Sequence, residues 1–168
     1  MKLADLFTAQ LEREAAVSRR VLERVPEGRP DWKPHEKSMA LGYLSTLVAT
    51  MPSWVAMTVA QDSLDLKPTS GPGYTAPRWT TRAELLQIHE RCVADGQEAL
   101  RKAEDSHLLL PWRLLVGGKV VSEDPRHVVI ADTFNHLAHH RGQLTVYLRL
   151  NDIPVPSVYG PSADDKTF

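Results

Sequence analysis

Cysteine is almost absent from this chain. The single Cys92 can close no internal disulfide and offers no thiolate-rich metal site, which fits a reducing compartment. No apolar run reaches transmembrane length. The N-terminal stretch MKLADLFTAQLEREAAVSRR carries Lys2, Asp5, Glu12, Arg13 and Glu14 where a signal peptide needs an uncharged segment. A cytoplasmic protein without a membrane partner is therefore expected. An excess of one charge is missing too: 20 Lys and Arg stand against 21 Asp and Glu, for a net charge of −1. Such a balance leaves no footprint for a polyanion, so nucleic acid is not an expected partner. The chain has no Gly-rich phosphate loop, no nucleophile elbow and no HExxH.

What remains is ordinary globular composition, 42% hydrophobic and 24% charged over 168 residues. That length suits one domain spanning residues 1–168, able to bury a core without staples. Leu3, Leu6, Phe7, Leu11, Ala15, Val21, Leu22 and Val25 recur every three or four positions. They predict an amphipathic first helix that Pro26-Glu27-Gly28 stops. A second helical stripe runs through Leu41, Leu44, Leu47, Val48, Met51, Val55 and Val59, with Ser38 as the expected N-cap. Pro52 lies inside it, so a kink or break is expected near Met51. LDLKPTSGPGYTAPRW has no periodicity and reads as a long loop. Thr81-Arg82-Ala83-Glu84 matches a capping box at the start of a third helix, buried along Leu85, Ile88, Cys92, Val93, Ala99, Leu100 and Ala103. Apolar runs flank Gly117-Gly118 and allow a small hairpin. Asp124-Pro125 is placed to supply an N-cap and a first-turn proline for a fourth helix. The proline-rich tail NDIPVPSVYGPSADDKTF reads as an extended strap. The resulting fold class is all-α, a four-helix bundle with long cross-connections and room for one small hairpin.

The fourth helix carries FNHLAHHRGQL, with three of the seven histidines in five positions. His136 and His140 are spaced i, i+4 and share a helix face, so both rings can reach one ion. At about 100° per residue, His140 falls within the stripe of Val129, Thr133, Leu137, Leu144 and Tyr147. His136 lies at the stripe's edge, and His139 turns further round. Inward imidazoles need partners, either a divalent metal or hydrogen bonds to Thr133, Asn135, Tyr147 or an acid of another helix. A catalytic metal also wants a third protein ligand from elsewhere. His89 falls within or beside the third helix's buried stripe and is the candidate to join the pair. A half-buried, hydrogen-bonded His89 fits the same pattern. Glu12 and Glu14 are further acidic candidates, and Arg141 is placed to bond Asp132, Asp164 or Asp165, or an anionic substrate.

The block FNHLAHHRGQLTVYLRLNDIPVPSVYGPSADD, with KSMALGYLSTLVATMPSW and YTAPRW before it, resembles the DinB/YfiT-like superfamily of damage-inducible bundle proteins. The resemblance covers most of the chain. It implies a four-helix bundle, commonly a homodimer, with a divalent ion such as Zn or Ni held by three histidines. One histidine comes from the second helix, and two come from the HxxxH that His136 and His140 match. Some relatives are thiol-dependent transferases using small thiols such as bacillithiol or mycothiol. The second-helix histidine does not carry over, because Leu47 stands in its place. Two readings stay open: a metal-binding protein, of transferase or hydrolase type, with His136, His140 and His89 as ligands; or a degenerate, metal-free homodimeric bundle that binds a small molecule or partner.

Overall fold

The computed structural model describes residues 2–69 and 75–167. Helix α1 spans Leu3–Leu22, α2 Leu41–Thr50, α3 Pro52–Ala60, α4 Arg82–Lys102, α5 Asp105–Leu108 and α6 Arg126–Leu150. Strands β1 (Ser63–Asp65), β2 (Pro111–Val116) and β3 (Lys119–Pro125) form a sheet in that order. Six helices and a three-stranded mixed sheet among the described residues overturn the expected all-α four-helix bundle.

Two local causes account for the difference. Pro52 has no N–H to give the carbonyl four residues back, so the second helical stripe breaks there. Its halves α2 and α3 meet at 50°, and the Ser53 hydroxyl donates to the Thr50 carbonyl at 2.8 Å across the junction. Strand β1 is only three residues long and pairs parallel with β2, Ser63 opposite Arg113. So short a segment shows no alternation, and its partner is remote in sequence. Its Leu64 and Asp65 open the stretch expected to be loop; residues 70–74 of that stretch fall outside the described residues.

The hairpin is where Gly117-Gly118 places it. Both glycines have positive φ, 59° and 78°, and they close a two-residue turn between Val116 and Lys119. The Asp65 carboxylate accepts from the amides of Gly117 (3.0 Å) and Gly118 (2.7 Å), so β1 is tied to that turn. Buried Arg126 fastens the sheet to the helices. Its guanidinium donates to the carbonyls of Thr58 and Pro111, at 3.0 and 2.8 Å, and pairs with Asp62.

The capping box forms as expected: Thr81 Oγ1 accepts from the Glu84 amide, and Glu84 Oε2 accepts from the Thr81 amide. Two other caps differ. Ala40 takes the N-cap of α2, and the Ser38 amide closes a turn on the His35 carbonyl. Pro125 takes the N-cap of α6, while Asp124 remains in β3 and accepts from the Ser122 hydroxyl. The described residues of the tail, 151–167, form no helix or regular strand, as the strap reading expects.

Helix α6 packs on α1, α2 and α3, and α4 closes the other side of α1, α2 and α3. Polar groups inside α2 are satisfied locally: Ser45, Thr46 and Thr50 donate to the carbonyls four residues back, at 2.8, 2.9 and 2.9 Å. They can be buried at little cost because no donor is left orphaned. Gly96 lets α4 come down on the α2–α3 break; a Cβ there would stand 2.9 Å from the Pro52 carbonyl oxygen. Among the described residues no single helix is long and apolar enough to cross a membrane, although bent α2 and α3 reach that threshold when taken together.

Candidate functional site

The histidines of α6 take the positions their spacing dictates. His140 is buried, while His136 and His139 are exposed. The Nε2 atoms of His136 and His140 lie 2.8 Å apart, a hydrogen bond between rings. On the far side of His140, Nδ1 meets Gln143 Oε1 at 2.7 Å. Gln143 therefore fixes the tautomer: Nδ1 carries the hydrogen and donates, Nε2 keeps its lone pair, and the His136 Nε2–H donates to it. Burial, followed by neighbouring His140 and His139, holds His136 below the ordinary histidine pKa. The lowered pKa favours the neutral ring, the form in which an imidazole binds a metal.

The bend at Pro52 brings α3 onto this site. The Trp54 indole stands edge-on to the His136 ring with centroids 5.5 Å apart. Leu47, Trp54 and Met51 all belong to the apolar packing of α2 and α3 around Leu137 and Leu144 of α6. None of the three is a ligand for a borderline divalent ion. Ring centroids of His139 and His140 are 5.0 Å apart, which puts a third imidazole beside the pair.

His89 is placed elsewhere. It is buried on α4, with Nε2 3.1 Å from the Ala15 carbonyl oxygen of α1 and Nδ1 3.3 Å from that of Ala49 of α2. These contacts join three helices and engage both ring nitrogens. Burial pushes its pKa down, with the two carbonyls pulling the other way. Among the described residues, no three His, Cys, Asp or Glu side chains are grouped as a metal centre requires.

The donor set fits a divalent ion in part. With Zn–N bonds of about 2.0–2.1 Å, two ligands of a tetrahedral ion stand about 3.3 Å apart. An ion replacing the shared hydrogen would thus need the rings to part by about half an ångström. The two imidazoles suit Zn or Ni; what this arrangement lacks is a third protein ligand.

Next to the pair, Arg141 turns to the opposite side of α6. It bonds none of its expected aspartates. Its Nη2 donates to Glu14 Oε2 at 2.7 Å, and its Nη1 donates to Ser18 Oγ at 3.0 Å and to the Glu14 carbonyl at 3.2 Å. Glu14 is therefore buried rather than solvated. Tyr159 of the tail closes the cluster: its hydroxyl donates to Glu14 Oε2 at 2.8 Å and meets Arg141, whose guanidinium carbon lies 5.0 Å from the ring centroid. Cys92 is half-buried, and burial raises its pKa, the reverse of what a nucleophile needs.

Sequence reasoning did not find Gln143 or Trp54. Gln143 carried a signal, since i and i+3 are neighbours on a helix. Trp54 carried none, because its approach depends on the direction of the break.

Among solved structures, a DinB-like protein of Bacillus cereus matches with a TM-score of 0.69 and 20% identity, over 91% of this chain and 95% of the other. A DinB-like protein of Bacillus subtilis matches with a TM-score of 0.66 and 14% identity, over 96% and 99%. At these identities the likeness establishes the fold: this chain has the DinB-like fold. No protein-family model matches the chain, and no curated protein matches it.

Proposed function

We propose that this DinB-like protein binds a divalent metal ion, Zn or Ni, through His136 and His140. Water or a small thiol substrate would fill the other positions. One observation carries the reading: the two Nε2 atoms converge at 2.8 Å while Gln143 holds the His140 tautomer that offers its lone pair. Outer partners that orient a ligating histidine in this way raise its basicity and the site's affinity. The ion would lower the pKa of a bound thiol or water, the chemistry of a thiol-dependent transferase or a hydrolase.

Leu47 and the completed hydrogen bonds of His140 favour a second reading. In it the pair is a metal-free polar element of a pocket for a small molecule. Elemental analysis and zinc or nickel titration of tag-free protein separate the two. Binding that His140→Ala abolishes supports the first; no binding at stoichiometric protein leaves the second.

A further inference from the structure

We infer that the cleft at the start of α2 binds a small aromatic zwitterion, the chemistry of a free aromatic amino acid. Nothing in it requires a metal at His136 and His140. The cleft holds about 440 Å³ between Pro30 and Asp31, the first turns of α2 and residues 76–79. Sites for small molecules span about 300–1,000 Å³ and combine apolar and aromatic walls with a few polar groups. Here Pro30, Pro77, Tyr43 and Trp79 supply the walls, and Asp31 and Arg78 supply one charge of each sign.

The walls are held in place by the fold itself. The Trp79 indole N–H donates to Thr46 Oγ1 at 3.0 Å, and that hydroxyl donates to the Gly42 carbonyl at 2.9 Å. The Gly42 amide donates to the Pro30 carbonyl at 2.8 Å, and a Cβ at Gly42 would stand 2.9 Å from Pro30 Cβ. Pro30 and Trp79 are thus both fastened to the start of α2, so a ligand need not order them. Tyr43 projects from the same stretch with 55% of its surface uncovered. Asp31 and Arg78 are exposed, and neither side chain bonds another described residue. A ring lying against Tyr43 and Trp79 gains from area burial and from ring–ring attraction. A carboxylate facing Arg78 and an ammonium facing Asp31 make charge-assisted hydrogen bonds. A purely anionic ligand would meet Asp31 and a purely cationic one Arg78, so the two charges select a ligand that carries both.

The test is ligand-observed saturation-transfer NMR on tag-free, full-length protein, with L-tryptophan, indolepropionate and tryptamine as probes. L-Tryptophan should bind more tightly than indolepropionate, which lacks the ammonium, and than tryptamine, which lacks the carboxylate. The margin should be about twofold to fivefold, the usual reach of a solvent-exposed charge pair. Arg78→Gln should remove the advantage over tryptamine, and Asp31→Asn the advantage over indolepropionate. Tyr43→Ala should weaken all three probes about tenfold, with the helical circular dichroism unchanged. No transfer from L-tryptophan at millimolar concentration would overturn the inference. So would equal binding of the three probes by wild type, or wild-type affinity in Tyr43→Ala.

Discussion

Arg141 of α6 and Glu14 of α1 form an ion pair that water does not reach: Nη2 and Oε2 are 2.7 Å apart, with side-chain exposures of 0% and 7%. Removing one member strands a buried charge, which costs about 3–5 kcal/mol in such settings. Arg141→Met should therefore lower unfolding stability by about that amount. The double variant Glu14→Leu/Arg141→Met should recover a large part of the loss, because neither charge is left alone. Urea denaturation of wild type, Glu14→Leu, Arg141→Met and the double variant measures the coupling. Two independent, additive effects would show that the charges do not depend on each other.

Gln143 should matter to metal and little to folding. In Gln143→Leu, His140 Nδ1 loses its acceptor and the ring is no longer held in the tautomer that presents Nε2. Zinc affinity is expected to fall about 10–100-fold, while the urea midpoint stays near wild type. Unchanged affinity would mean that Gln143 does not set the tautomer.

Leu47→His restores a histidine where the DinB-like resemblance places one. Zinc or nickel affinity should rise well above wild type, read by competition with a chelating dye. An affinity no higher than wild type would show that position 47 does not look onto His136 and His140.

Stability should depend on pH through His89. Burial depresses its folded pKa below 6.5, and burial with the neighbouring rings depresses that of His136. A histidine lowered in the folded state takes its proton more readily when the chain unfolds. Its contribution is therefore full above pH 6.5 and is lost as pH falls through the folded value. The wild-type urea midpoint should decline below about pH 6.5, and His89→Leu should flatten that decline. An equally steep slope in the variant would assign the protons to other groups.

Much of this was legible in the sequence because it is local. The HxxxH spacing, the Thr81–Glu84 box, the Gly117-Gly118 turn and the break at Pro52 each follow from residues within one or two helical turns of each other. The misreadings involve distant partners. Arg141 has acids close by in sequence at Asp132, Asp164 and Asp165, and only the packing of α1 on α6 selects Glu14. His89 lies on a buried face, as its stripe indicated; periodicity does not reveal that the Ala15 and Ala49 carbonyls wait there. Ser38 and Asp124 are good capping residues one or two positions too early, because the chain enters α2 and α6 through the extended backbone of Ala40 and Pro125.

Strand β1 has a kinetic consequence. It pairs parallel with a strand about fifty residues downstream, with all of α4 in the intervening chain. The β2–β3 hairpin can close by itself, but β1 pays the entropy of a long loop and gains only three residues of pairing. Closure of that edge should thus follow the docking of α4. In pulsed hydrogen exchange during refolding, the Leu66 amide, which donates to the Leu115 carbonyl, should gain protection after the amides paired within the hairpin. The sheet that sequence reasoning half missed would then serve as a clock for the final step of assembly.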